Sequence, residues 1–302
     1  MSLTDHDEFL HLGFPKNTKT KWKENYYFNY FDKDSNAMGI FHFSHQRWDG
    51  KAKLTSAQCI DGKHHFFREF IDLPLTDPDL HNGDFVVKNE HFSFRVVDPY
   101  KHHIVTFEKD NLSIRLEFRD RFPVVDFEAK VKSETDKSLD IDHYEQGMHV
   151  EGLITLNNVK KPIQCYGHRD HTWGVRNEAG LKGWHWLAIL GEHSSWNLTR
   201  VNRVNAKDDQ TGFYCHAEGT NFVTGLEVLD IQYNEKKEPV LCRYKGTLDN
   251  GEVRTIVATR LHRLDLKTDD LPVGYFENMS EFLIEETGET GVGVDEHMVL
   301  NV

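Results

Sequence analysis

Leu112-Ser-Ile-Arg-Leu-Glu-Phe-Arg119 alternates apolar and polar residues without a break. Successive side chains of an extended chain point to opposite faces, so this segment reads as a strand with one face in a core and the other in water. The same period of two, less cleanly kept, runs through Val124–Val131, Leu226–Ile231, Arg254–Leu261 and Met279–Ile284. Tyr26–Phe31 and Ile40–Ser44 are aromatic-rich strands separated by the turn-like Asp32-Lys-Asp-Ser-Asn36. Hairpin-type dipeptides recur at Asp49-Gly50, Asp61-Gly62, Asn82-Gly83 and Asn250-Gly251, where backbones with positive φ are cheap. No stretch carries the 3.6-residue repeat of a long amphipathic helix, and only Thr4–Leu12 leaves room for short helical turns. The chain is therefore an antiparallel all-β protein.

At 302 residues the chain is long enough for one large or two medium β domains. Trp22–Ser44 and Trp184–Val204 both open on Trp and run through aromatic-rich strands followed by hairpins. This echo predicts two similar β-barrels or sandwiches in tandem, residues 1–157 and 158–302, joined near Asn157-Asn158. The net charge of −13 argues against a nucleic-acid or anionic-membrane surface, since both need a basic footprint. No run approaches the roughly 18 apolar residues of a membrane span, and Met1–Glu8 lacks the basic and apolar regions of a signal peptide. Cys59, Cys165, Cys215 and Cys242 are scattered, which reads as reduced thiols in a cytoplasmic protein.

The chemistry concentrates in Tyr166-Gly-His-Arg-Asp-His-Thr-Trp-Gly-Val-Arg176, which packs an acid, two imidazoles, two guanidiniums and an indole between Gly167 and Gly174. Upstream, Tyr144-Glu145-Gln146-Gly147 adds a second acid. On a strand His168 and Asp170 share one face, and Arg169 and His171 the other. Asp170 and Glu145 are the candidate proton donors. Burial against Trp173, Trp184 or Trp186 would favour the protonated form of Asp170. Tyr144 and Gln146 are the candidates for orienting Glu145, and His168 or His171 for passing protons near neutral pH. Indoles steady a developing carbocation by cation–π attraction, about 0.5–2 kcal/mol each. These parts suit protonation of a carbon–carbon double bond, followed by water capture, proton loss or ring closure. They equally suit a structural ion network in which Arg169, Asp170, Glu145 and Arg176 clamp two β domains around Trp173. The 19 histidines raise the question of a metal. His168-x-Asp170-His171 with Glu145 or His149 offers mixed nitrogen and oxygen donors, but the spacing matches no helical HExxH motif, so no metal is expected. His64-His65 and His102-His103 read as strand or loop histidines. The 20 Phe, 10 Tyr and 6 Trp suit a cavity for a hydrophobic ligand as well as a filled core.

Glu145-Gln146, Gly152 and Gly167-x-Arg169-Asp170-His171-Thr172-Trp173-Gly174-x-Arg176 together resemble the signature of the AttH-like/carotenoid 1,2-hydratase (hydroxyneurosporene synthase) superfamily. Trp22-x-Glu24-x-Tyr26-x-Phe28 is similar to that group's first strand, and Thr172 stands where Ser is expected. The resemblance implies two lipocalin-like (calycin-type) β-barrels with a ligand cavity. It also implies relatives that hydrate, isomerise or cyclise hydrophobic, often terpenoid or polyketide-derived, substrates without a redox cofactor. Matched by position, it makes Asp170 the proton donor, with Arg169 and His171 as neighbours and Glu145 as second acid. The expected function is a cofactor-independent hydratase, isomerase or cyclase acting on a hydrophobic unsaturated small molecule. The alternative is a non-catalytic carrier of such a ligand, in which the Arg-Asp-His-x-Trp-Gly segment is an interdomain clamp.

Overall fold

The structure is a computed structural model that describes residues 3–11, 22–46, 50–72, 85–126, 139–176, 181–205, 207–266 and 274–299. Apart from one 3₁₀ turn, Asp5–Glu8, the regular structure among these residues is entirely β. The chain divides into two compact units after Asn177. The first holds β1 (Trp22–Asp32), β2 (Ala37–Gln46), β3 (Lys51–Ile60), β4 (Lys63–Asp72), β5 (Phe85–Lys88), β6 (Phe92–Asp98), β7 (His102–Lys109), β8 (Leu112–Asp120), β9 (Val125–Asp126), β10 (Leu139–Leu156) and β11 (Val159–Arg176). Its sheet runs β4-β3-β2-β1-β11-β10-β8-β7-β6-β5, with β9 paired to β10. The second holds β12 (Leu181–Gly191), β13 (Ser194–Arg203), β14 (Asp209–His216), β15 (Gly219–Tyr233), β16 (Pro239–Leu248), β17 (Val253–Leu264), β18 (Tyr275–Ile284) and β19 (Thr290–Val299), which close in sequence order into an eight-stranded barrel.

Full closure in the second unit leaves no strand edge exposed. The first unit manages its edges through side chains. Phe67 on β4 packs against Phe92 and Phe107, with ring centroids 5.9 and 5.7 Å away, and Asn89 Nδ2 donates to Glu69 Oε1 at 2.6 Å. The sheet thus curls until its ends meet around an aromatic core of Tyr26, Phe28, Phe41, Phe43, Phe92, Phe94 and Phe118, all buried. Leu112, Ile114, Leu116 and Phe118 fill that core from β8, while the residues between them face outward. The alternation of Leu112–Arg119 therefore sets this strand's orientation, and the expected all-β fold of tandem lipocalin-like barrels is the one observed.

The domain join is a correction. Asn157 and Asn158, at φ 52° and 66°, are the turn between β10 and β11, which pair along their whole length from Leu139↔Arg176 to Leu156↔Val159. Two successive residues with positive φ form a two-residue hairpin turn. The expected boundary at 157/158 thus falls at the tip of a hairpin, and the chain leaves the first unit about twenty residues later. Asp61-Gly62 and Asn250-Gly251 are hairpin turns as read, with Gly62 and Gly251 at φ 74° and 86°. Asn82-Gly83, Asp49 and residues 127–131 lie outside the described residues. Among the described residues no helix is long and apolar enough to cross a membrane.

Candidate active site on the central strands of the first unit

The functional segment lies on β11, between β1 and β10. The register places Asp170 between Tyr27 and Glu145, Arg169 between Phe28 and Gln146, and His171 between Tyr26 and Tyr144. Two glycines make this packing possible. A Cβ on Gly167 would meet the Asn29 carbonyl and lie 2.5 Å from a Val150 methyl. Gly174 sits at φ 133°, a backbone that side chains disfavour. Strand alternation then divides the polar residues between two faces, as the sequence predicts for His168 and Asp170 against Arg169 and His171.

The inward face continues the core of Tyr26, Phe28 and Met148. At one end it turns polar, and the N-terminal turn docks there. Glu8 is fully buried. It accepts from Arg169 Nη2 at 2.6 Å and Nη1 at 3.3 Å, and lies 2.7 Å from His103 Nε2. Burial would raise the Glu8 carboxyl, but the Arg169 guanidinium and His103 outweigh it and hold it far below the usual carboxylate range. Arg169 also donates to Gln146 Oε1 from Nε at 3.1 Å and Nη2 at 2.9 Å. Gln146 Nε2 in turn donates to the Tyr100 and Phe122 carbonyls at 2.9 and 2.8 Å. Beside this network Glu24, also fully buried, takes His11 Nδ1 at 2.8 Å and His171 Nε2 at 3.0 Å. Burial opposes its charge, yet the hydrogen bonds from the two imidazoles bring it down to about 2. His171 Nδ1 lies 2.9 Å from the Asp7 carbonyl and 3.0 Å from the Tyr144 hydroxyl, and the ring stacks on Tyr26 at 3.9 Å. Burial lowers its proton affinity, partly offset by Glu24. His11 stacks on Trp173 at 4.3 Å.

The outward face carries a different cluster. Glu145 is fully buried and holds His168 Nε2 at 2.7 Å on one oxygen and His143 Nε2 at 3.1 Å on the other. Burial opposes its charge, but His143 and His168 beside it bring it to about 2. Ligand atoms of His143, Glu145 and Asp170 lie within 4.8 Å of one another. Asp170 and His143 are half-buried, whereas Glu145 and His168 are sealed. Register continues the row through Tyr27 on β1 to half-buried His42 on β2. The row thus runs His42, Tyr27, Asp170, Glu145 across four adjacent strands.

Several expectations change. Tyr144 and Gln146 do not orient Glu145, because alternation points them to the opposite face, where they hold His171 and Arg169. Arg169 pairs with Glu8 of its own unit, so the network expected among Arg169, Asp170 and Glu145 is replaced by one with the N-terminal turn. Arg176's side chain lies outside the described residues. His168 and His171 engage carboxylates on opposite faces, so the set His168-Asp170-His171 cannot converge on one ion. Trp173 faces His11 and His171, away from Asp170. Trp184 and Trp186 belong to β12 of the second unit, where Trp184 Nε1 donates to Glu296. Residues that sequence reasoning misses are Glu8, His11, Glu24, His103 and His143. Glu24 stands in the Trp22-x-Glu24-x-Tyr26 pattern, where a charge between core aromatics signals an inward acid. Glu8 gives no local signal, since its partner is 161 residues away.

Residues 4–300 match the family described as a domain of unknown function (DUF7064), and the chain belongs to it. No curated protein matches. Among solved structures the chain is similar to one described as AttH from Nitrosomonas europaea, with 15% identity, a TM-score of 0.69 and 96% of each chain covered. It is also similar to kievitone hydratase from Nectria haematococca, with 10% identity, a TM-score of 0.63, and 98% of this chain and 94% of that one covered. CghA, solved with Sch210972, matches at 13% identity and a TM-score of 0.70, with 93% and 89% covered. The chain thus shares its fold with these structures, AttH among them, in line with the resemblance carried by the Arg169–Trp173 segment.

Proposed function

We propose that this member of the DUF7064 family is a cofactor-independent hydratase, isomerase or cyclase that protonates a hydrophobic unsaturated small molecule. Asp170 gives the proton, and His143 and His168, anchored by Glu145, return it. The observation that carries this reading is the half-open outward cluster: a carboxyl opposite a buried anion that holds two imidazoles at 2.7 and 3.1 Å. Glu145 fixes both imidazoles in place beside the Asp170 carboxyl. In the hydration reading Asp170 transfers its proton to one alkene carbon. Water adds to the cation left on the other carbon, and the surplus proton of that water returns to Asp170 through His143. Loss of a neighbouring C–H proton instead of water addition gives isomerisation, and attack by a second double bond gives ring closure. The likeness to a hydratase supports the first of these.

The test is turnover in deuterated water against a panel of hydrophobic olefins, read by mass spectrometry. Deuterium should appear on carbon in a product of the wild-type protein, and Asp170→Asn should cut its formation about 10²–10⁴-fold, the range of general acid catalysis. Equal turnover in Asp170→Asn, with the fold retained, would remove the proposal. The carrier reading is favoured instead if an olefin binds stoichiometrically and is recovered unlabelled and unchanged.

A further inference from the structure

The barrel of the second unit contains a polar cluster that the chemistry above does not use. Cys242 and Tyr244 on β16 and Asp295 and His297 on β19 are all buried. They share the interior with the apolar core residues Trp196, Leu198, Ile256 and Phe282. Four heteroatoms converge on one spot. His297 Nε2 lies 3.5 Å from Cys242 Sγ, 3.1 Å from Asp295 Oδ2 and 3.1 Å from the Tyr244 hydroxyl. The Tyr244 hydroxyl donates to the other Asp295 oxygen, Oδ1, at 2.7 Å.

We propose that Cys242, Asp295 and His297 form a binding site for a borderline-soft divalent cation, of which zinc is the type, inside the second barrel. The donor set is one that zinc takes: a thiol sulfur, an imidazole nitrogen and a carboxylate oxygen. Its spacing also fits. A tetrahedral ion with Zn–S of about 2.3 Å and Zn–N of about 2.0 Å separates those two donors by about 3.5 Å, and its nitrogen and oxygen donors by about 3.3 Å. The observed separations are 3.5 and 3.1 Å, so an ion needs only small shifts to enter. Tyr244 then plays the outer role usual for a metal-bound carboxylate, fixing Asp295 through Oδ1 and leaving Oδ2 for the ion.

A second observation points the same way. Buried polar atoms normally have partners, yet Asn278 Oδ1, Ser280 Oγ and His185 Nδ1 are buried without one among the described residues. All three lie on strands flanking the cluster. Asn278 is opposite Asp295 in the β18–β19 ladder, and its Nδ2 donates to the Asp295 carbonyl at 3.1 Å. Ser280 is two residues further along the same face of β18. His185 is opposite His297 on β12, with ring centroids 4.7 Å apart. A cation with its bound water would engage such acceptors, and His185 offers the nearest further nitrogen. On binding, the Cys242 S–H bond breaks, its proton goes to solvent, and the thiolate electron pair enters the metal bond. Three protein donors leave the fourth position of a tetrahedral ion to water or to His185.

The test uses the full-length, tag-free protein, stripped with a chelator and titrated with cobalt(II), which takes zinc sites and reports a thiolate ligand by a near-ultraviolet charge-transfer band. One cobalt per chain with that band is expected, displaced by one equivalent of zinc. Cys242→Ser should lose the band, Asp295→Asn should weaken binding at least tenfold, and Cys165→Ser should change neither. Absence of the band in the wild-type protein overturns the proposal, whatever the variants do. So does a band that survives in Cys242→Ser, or cobalt held only by ligands other than sulfur.

Discussion

The two faces of the β1–β11–β10 sheet are built from the same three strands and similar residues, yet they are wired differently. Inward, Arg169, His171, His103 and His11 are matched against Glu8 and Glu24 with contacts of 2.6 to 3.3 Å, and three of the four are fully buried. Every member of that network holds the N-terminal turn. Outward, a single buried carboxylate, Glu145, holds two imidazoles, and half-buried Asp170 stands beside it. A network of paired charges buried in low dielectric is costly to disturb. A cluster with a half-exposed acid can exchange a proton. Alternation along one strand therefore places the anchoring residues Arg169 and His171 beside the proposed proton donor Asp170.

The comparison breaks most visibly at Asp170. Asp170→Asn is expected to cost about 10²–10⁴-fold in turnover while moving the urea midpoint little, because the side chain is half-buried and replaced by an isostere. Arg169→Met is expected to do the opposite. Leaving Glu8 buried without its guanidinium should cost about 3–5 kcal/mol in urea unfolding, with turnover per folded molecule kept. Adding Glu8→Leu should recover much of that loss, because the uncompensated charge is gone; no recovery would mean that Arg169 is not held by Glu8 in solution.

Acid sharpens the comparison next. Glu24 and Glu145 are held at about 2 in the folded protein against an ordinary value of 4.5, and Glu8 lower still. A carboxyl whose folded-state value is depressed contributes stability that is present above the unfolded value and is lost as pH falls through the folded one. Stability should therefore decline from about pH 4.5 towards pH 2. His103 and His171, which burial holds below the ordinary imidazole value, add to the fall below pH 6.5, because the unfolded chain takes up their protons first. His11, raised by Glu24 and Asp7 against its own burial, works the other way and offsets part of it. Urea midpoints from pH 7 to pH 3 check this, and Glu24→Gln should flatten the acid limb. The smallest effect belongs to His11→Ala, which removes one hydrogen bond to Glu24 and the stacking on Trp173, and should cost about 1–3 kcal/mol.

How much of this is legible in the sequence follows from how local each signal is. Leu112–Arg119 announces its two faces because alternation needs no partner. For the same reason the order of His168-Arg169-Asp170-His171 is enough to divide these residues between faces. What residue order does not carry is what lies across from them. Nothing near Arg169 names Glu8, which is brought to it by a turn at the other end of the unit. The roles expected for Tyr144 and Gln146 fail because adjacency in sequence is not adjacency in space: on a strand, neighbours point apart. Asn157-Asn158 reads as a join because a hairpin turn and a linker draw on the same polar residues; only the positive φ of both, and the pairing that continues past them, tells the two apart.

The most direct test of the division between faces is turnover per folded molecule of the Glu8→Leu, Arg169→Met double variant. With the inward ion pair removed as a unit and the outward cluster untouched, turnover should stay within a few-fold of wild type. A loss as deep as that of Asp170→Asn would show that Arg169 takes part in the chemistry and would contradict the account.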